Sequence, residues 1–410
     1  MEPLKNIFSL QLIHTLGNNI RAVYPQFALN EFVAMASENL EDLEMKPRAF
    51  QIYKALQHFL PKNFEESASI CIQSFGPELT QNQNNAFGLS VFYYLPFSDW
   101  ISEQGIAREK LPTSFKFLSE LTKRFTAEFA VRKFLMQFPT ETMNFIHQCA
   151  ESNNLHLRRF ASEGIRPYLP WGLQLKSFAQ NPQPVFEVLQ KLMNDPNEYV
   201  QKSVGNNLND ITKNHPNEVI QFLQPFVQNP SKGTQKIIHL ATRNLIKKGN
   251  PDVLNLLNYT TDIRCNAELK LDKAQVKMGE KIGLELNVCN LHPQTQNWII
   301  DYCVYFNKAN NKPNGKVFKW KKLNIVHNQV VNLQTNYDFK AITTRKYYPG
   351  KHRIEVIINC KTVATAARLP QAIALAIVNS TDGPGAKMIK IVAIRYSQRR
   401  DGIRSEENMR

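Results

Sequence analysis

ESNNLHLRRFASEGI (151–165) and NDPNEYVQKSVGNNL (194–208) decide the fold of the first part of this chain. In each, a polar turn leads into an aliphatic residue, two long polar side chains and then small residues. Leu157 and Val200 lie 43 residues apart, and Asn207-Leu208 and Asn244-Leu245 lie 37 apart. Self-similarity near roughly 40 residues, with two helices per unit, marks HEAT-like α-solenoids, whose units bury their apolar faces only by stacking on one another. Upstream, LPTSFKFLSELTKRFTAEFAVRKFLMQF (111–138) places Phe117, Leu118, Leu121, Phe125, Phe129 and Phe134 three and four apart, the spacing of one helix face. Breaks at 60–63, 138–141, 194–198 and 214–218 separate similar segments. A generic helical bundle is the plainer alternative.

Near residue 258 the period changes from helical to alternating. Ile282, Leu284, Leu286 and Val288 share one face of a strand. Trp298, Ile300, Tyr302, Val304 and Phe306 share another, as do Ile354, Val356 and Ile358. Turn residues fall between them, at MGEK (278–281), ANNKPNG (309–315) and YPGK (348–351). Several strands at this spacing predict a β-sandwich. The expected fold is mainly α: a HEAT-like α-solenoid over 1–257, then an immunoglobulin-like β-sandwich over 258–367. The segment 368–410 follows neither pattern, and its last dozen or so residues are expected to be mobile.

The 410 residues allow two or three domains, and 43% hydrophobic with 21% charged residues excludes wholesale disorder. No apolar run reaches the ~18–20 residues that span a bilayer, and the start lacks a secretory h-region, so the expected compartment is the cytoplasm. Six cysteines without a C-x-x-C pair predict free thiols rather than a zinc or redox site. Cys289 and Cys360 are the pair that the strand pattern could bring face to face.

Charge is uneven. Residues 1–257 hold 25 basic and 23 acidic side chains, and 258–410 hold 25 and 12, so +13 of the net +15 lies in the C-terminal part. A polyanion is the expected partner of such a field. The plainer reading is charge for solubility.

HLRRFASEGIRPYLPW (156–171) is the densest stretch of chemistry. Gly164 predicts the end of a helix, and Pro170 can open the next. Glu163 then occupies the last helical turn, the wrong end of the macrodipole for a carboxylate, so a cation should compensate. Arg159 is four residues back on the same face, and Arg166 lies just beyond. A local bridge holding the helix end competes with a carboxylate held by arginine in a concave site. Trp171 would stand beside it, though a lone Trp is more often core. In RFTAEFAVR (124–132), Thr126 can cap a turn and Glu128 is spaced to pair with Arg132. In SVGNNLNDITKNHP (203–216), Asn206, Asn207, Asn209 and Asp210 crowd a helix against propensity. Nucleotide-binding, nucleophile-elbow and zincin motifs are missing, and histidines are unclustered, so no metal or cofactor is expected.

These strings, with LEMKPRAFQIYKAL, ATRNLIKKG, DYCVYFNKAN, GKVFKWK and TTRKYYPGKHRIEV, resemble the AlkC branch of bacterial DNA alkylation repair glycosylases. The likeness spans roughly residues 3–366. It implies a HEAT-like domain, an immunoglobulin-like domain, and monofunctional excision of 3-methyladenine and 3-methylcytosine without metal or cofactor. It further implies that Glu128 and Glu163 are the active-site carboxylates, with Asp210 a third acidic residue. Trp171 would face the lesion, and Arg159 would contact DNA or orient a carboxylate. Arg166 joins Trp171 and Arg159 as a substrate-binding candidate.

The implied partner is alkylated double-stranded DNA, bound by a monomer in the bacterial cytoplasm, at the nucleoid when engaged. Lys308, Lys316, Lys319, Lys321, Lys322, Arg345 and Lys346 are the candidates for gripping its backbone. The chain departs from the family pattern at an Asn of the turn NNLHLRRF (153–160), at Gln201-Lys202, at Gly205 and in the tail after about 367. The competing class is a non-catalytic DNA-binding or scaffold protein, since helical repeats also serve that role.

Overall fold

Ser9, Asn63, Asn154, Asn197 and Asn250 each turn a side-chain oxygen onto the first backbone N–H groups of a helix. Each cap is worth about 0.5–2 kcal/mol and fixes where its helix begins. The structure, a computed structural model, describes residues 4–79, 92–273, 276, 278–306, 314–340 and 352–363. Lys308, Arg345, Lys346 and the tail 368–410 lie outside the described residues.

Up to Leu256 the described chain is helical. The first helices are α1 (Leu10–Val23), α2 (Leu29–Ser37), α3 (Met45–Phe59), α4 (Phe64–Gln73) and α5 (Leu95–Gln104). Then come α6 (Leu111–Thr122), α7 (Val131–Gln137), α8 (Pro139–Ala150), α9 (Leu155–Gly164) and α10 (Lys176–Gln180). The last are α11 (Gln183–Leu192), α12 (Glu198–Ile211), α13 (Pro216–Leu223), α14 (Lys232–Lys247) and α15 (Pro251–Leu256). The two self-similar segments become α9 and α12, which pack directly on one another, while α8 packs on both α7 and α9. This is helical-repeat stacking. Gly205 serves it: a Cβ there would stand 2.5 Å from Leu240 Cβ, so α12 and α14 approach only because that side chain is missing. Gly164 does the same for α9, where a Cβ would meet Val131 Cγ1 at 2.9 Å.

The sequence expectation that Pro170 opens a helix is corrected. Residues 165–175 form turns, and α10 starts only at Lys176. No helix is long and apolar enough to cross a membrane among the described residues.

Seven strands follow among the described residues: β1 (Cys265–Leu271), β2 (Lys281–Asn290), β3 (Gln296–Phe306), β4 (Asn314–Ile325), β5 (Val330–Asp338), β6 (Arg353–Ile358) and β7 (Lys361–Val363). They form two antiparallel sheets, ordered β1-β2-β5 and β4-β3-β6-β7. The alternating residues read from the sequence meet in one core: Ile282 to Val288 from β2, Trp298 to Phe306 from β3, Ile354 to Ile358 from β6. Trp298 is fully buried, with its indole N–H donating to Gln296 at 2.8 Å. All six cysteines are free. Cys289 stands on the opposite parity from the β2 core positions, and the Cys360 thiol donates to the Ile246 carbonyl instead.

The chain divides into two compact units, Met1–Arg243 and Asn244–Arg410. The division falls inside α14, so its last turn and α15 group with the sheets. Two side chains of the β-sandwich reach the segment before β1: Gln296 of β3 donates to the Asp262 carbonyl at 3.0 Å and Asn359, between β6 and β7, to the Thr260 carbonyl at 2.8 Å.

Candidate active site

Glu163 ends α9, where the macrodipole disfavours a carboxylate by about 0.3–1 kcal/mol. Its compensation is on hand. Arg166 donates to Oε1 at 2.6 Å, the Ser203 hydroxyl donates to Oε2 at 2.5 Å, and Arg159 stands 3.8 Å from Oε1. Glu128 lies in the turn before α7 and takes a fork from Arg159, whose Nη1 donates to Oε2 and Nη2 to Oε1 at 3.3 Å. The Thr126 hydroxyl donates to the same Glu128 oxygen and accepts from Arg159 at 2.9 Å. On α12, Asp210 Oδ2 accepts from Arg166 Nε at 2.9 Å and Nη2 at 2.8 Å, and Lys213 bonds Oδ1 at 3.1 Å.

Glu128, Arg159, Glu163, Arg166 and Asp210 therefore form one chain of alternating sign, each side chain at most 15% exposed. Three carboxylates meet two arginines within it; the third cation, Lys213, is about half exposed. Arg-carboxylate forks of this kind hold geometry as well as charge. The Tyr199 ring lies 4.9 Å from the Arg159 guanidinium and offers it a cation–π face.

The environment separates the two glutamates. Burial pushes the Glu128 carboxyl above the usual range; Arg159 pulls against this, and the charge of Glu163 adds to it. Burial opposes ionisation of Glu163 too, but Arg159, Arg166 and the Ser203 hydroxyl outweigh it and hold that carboxyl below the usual range. Both arginines lose something to burial, yet their carboxylate partners hold their pKa values above normal.

The expected pairing of Glu128 with Arg132 is corrected. Arg132 is fully buried and makes no ion pair with Glu128. It donates to the carbonyls of Gly164 at 2.9 Å, Arg166 at 2.8 Å and Leu173. It thus pins both ends of the turn segment that carries Trp171. Burial and the neighbouring Arg166 push its pKa down to about 10.

Trp171 is not core: it is 73% exposed. Its backbone sits at φ +64°, a left-handed conformation that costs a bulky residue about 1–3 kcal/mol and persists only when the surroundings impose it. Arg132 and the bond from Lys46 to the Trp171 carbonyl at 3.4 Å are part of those surroundings.

The structure thus brings Glu128, Arg159, Glu163, Arg166 and Asp210 together, and presents Trp171 on the segment that follows α9. Ser203 and Tyr199 were missed in the sequence. The one signal for them is that both lie on the helix self-similar to α9. Asn207, picked out by its poor propensity, donates to the Ser162 carbonyl at 2.7 Å and ties α12 to α9, while Asn206 accepts from Arg243 at 2.9 Å. Of the lysines proposed for the DNA backbone, Lys316, Lys319, Lys321 and Lys322 all project from β4 and are exposed.

Residues 124–242, which contain every member of this cluster, match the family model described as DNA alkylation repair enzyme. Residues 266–368 match the C-terminal Ig-like domain of the uncharacterised protein YhaZ. Uncharacterized protein YhaZ of Bacillus subtilis (strain 168) is 35% identical over 362 residues, covering 88% of this chain and 97% of that protein. The solved structure of Pseudomonas fluorescens alkylpurine DNA glycosylase AlkC, bound to DNA containing an abasic site analog, superimposes with a TM-score of 0.79 at 27% identity, covering 95% of this chain and 99% of that one. The β-sandwich is accordingly Ig-like, the helical unit has the AlkC fold, and the chain belongs to the AlkC and YhaZ family of DNA alkylation repair enzymes.

Proposed function

We propose that this protein is a monofunctional DNA N-glycosylase that excises cationic N3-alkylated bases, 3-methyladenine and 3-methylcytosine, from double-stranded DNA and leaves an abasic site. The observation that carries the reading is the buried, arginine-held carboxylate chain beside an exposed tryptophan held in a strained conformation. The AlkC neighbour was solved on DNA containing an abasic site analog, which supports DNA as the partner here.

N3-alkylation puts positive charge on the base. When the C1′–N bond breaks, its electron pair moves to the base, which leaves neutral, and the charge passes to the sugar as an oxocarbenium-like ion. Water then adds at C1′ and gives up a proton. The leaving base needs no protonation, so the enzyme's task is to stabilise a cation that moves from base to sugar. Glu163, held ionised by its arginines, is suited to that task, because a fixed carboxylate in a dry site costs no reorganisation during the reaction. Glu128 extends the negative field, and Asp210 keeps Arg166 on Glu163. Trp171 offers a cation–π face worth about 0.5–2 kcal/mol. A neutral base gains little from either feature, so the same groups supply selectivity. Lys316, Lys319, Lys321 and Lys322 would hold DNA phosphates.

The test is incubation with duplex DNA treated with a methylating agent, followed by chromatography of the released bases. Free 3-methyladenine and 3-methylcytosine, with abasic sites in the strand, are expected. DNA bound with no base released would favour a non-catalytic damage sensor or scaffold.

A further inference from the structure

A cavity of about 680 Å³ opens next to Trp171, bounded by α3, α5, the start of α7 and the 171–173 segment. Its size falls among small-molecule sites, roughly 300–1,000 Å³. Phe50, Phe92, Phe129 and Trp171 give it flat aromatic walls, and Asp99 supplies a carboxylate. Phe129 is the residue after Glu128, so the cavity adjoins the acid cluster along the chain.

The other charges of the cavity leave Asp99 open. Glu103 is bonded to Lys133, and Lys46 is bonded to the Trp171 carbonyl. Among the described residues no hydrogen bond or ion pair engages the Asp99 carboxylate. A carboxyl between aromatic faces matches one chemistry well: a planar heterocycle whose edge carries an amino group beside a ring nitrogen. The rings stack on its faces, and the carboxyl pairs with that edge. A nucleotide is disfavoured, because its phosphate would meet the acid.

Building on the glycosylase reading, we propose that this cavity is a binding site for the free N-alkylated aminopurine or aminopyrimidine released by the reaction, with Asp99 recognising its amino edge. The base leaves the acid cluster past Trp171 and is held there before it escapes. Burial, opposed by Lys133 and assisted by Glu103, raises the Asp99 pKa to about 6: below that pH its carboxyl both accepts from the amino group and donates to the ring nitrogen, and above it the carboxylate only accepts.

The test is titration of the full-length protein with free 3-methyladenine, without DNA, by calorimetry. Asp99→Leu keeps the bulk of the side chain and removes both its donor and its acceptor, and Phe50→Ala alters a ring that is already 45% exposed, so neither threatens the fold. Wild type is expected to bind, with both substitutions weakening binding at least tenfold and purine, which keeps the ring nitrogens but lacks the amino group, binding at least tenfold more weakly. No binding by wild type, or equal binding by wild type and both variants, overturns the proposal. Base release from methylated duplex is measured on the same preparations. Release without free-base binding overturns the cavity and leaves the glycosylase reading standing. Binding without release does the reverse.

Discussion

Arg132 places Trp171 through the backbone. Its guanidinium holds the carbonyls of Gly164 and Arg166, which precede Trp171 in the chain, and of Leu173, which follows it, and Trp171 adopts φ +64° between them. Replacing Arg132 with Ala would leave these buried carbonyls unpaired, at about 1–3 kcal/mol each. A loss of at least about 3 kcal/mol is expected, lowering Tm by roughly 6–12 °C. Base release should fall with it, and Arg132→Lys should recover only part of either. A melting temperature unchanged in Arg132→Ala would show that the clamp does not hold the segment.

Trp171→Gly separates stability from activity. Glycine accepts φ +64° without strain, and the indole it removes is mostly exposed, so stability should hold or rise by up to about 1 kcal/mol. Base release should slow by roughly 2–30-fold, the loss of a cation–π contact of about 0.5–2 kcal/mol. A destabilised variant with full activity would contradict both parts.

Acidification should act through Glu128 first. Its carboxyl lies above the usual range and that of Glu163 below it, so as pH falls Glu128 gains a proton while Glu163 stays ionised. If the negative field of Glu128 assists the reaction, the single-turnover rate drops on an acid limb that lies above the usual carboxylate range. Glu128→Gln should lower the rate and abolish that limb. A limb that persists in Glu128→Gln would belong to another group.

The exposed lysines of β4 should appear in the salt dependence of DNA binding. Each phosphate contact contributes about 0.9 to the slope of log K against log salt. Replacing Lys316, Lys319, Lys321 and Lys322 together with Ala should therefore flatten the slope by about 3–4. An unchanged slope would remove β4 from the interface.

The fold was legible where burial imposes a period. Self-similarity between 151–165 and 194–208 foretold the α9–α12 pair, and the alternation after 258 named the residues of the sandwich core. Glu163 was legible as an anomaly, a carboxylate at the wrong end of a helix dipole, and its cations were the nearest arginines. Arg132 was not legible. The four-residue spacing from Glu128 pairs side chains only within one helix, and α7 begins at Val131, after Glu128. Its real partners are backbone carbonyls 32 to 41 residues on, which carry no sequence signature. Pro170 misled for a related reason: the chain spends residues 165–175 in turns that present Trp171. Ser203 reaches Glu163 only because α9 and α12 are packed together.

The central claim rests on Glu163, and the most direct measurement is single-turnover release of free base from methylated duplex DNA, in EDTA, by wild type and Glu163→Gln side by side. The substitution keeps shape and removes charge. Wild type should release base, and Glu163→Gln should be slower by at least about 100-fold with DNA binding retained, the scale on which removing a preorganised electrostatic group slows an enzyme. Release at the wild-type rate by Glu163→Gln would contradict the account.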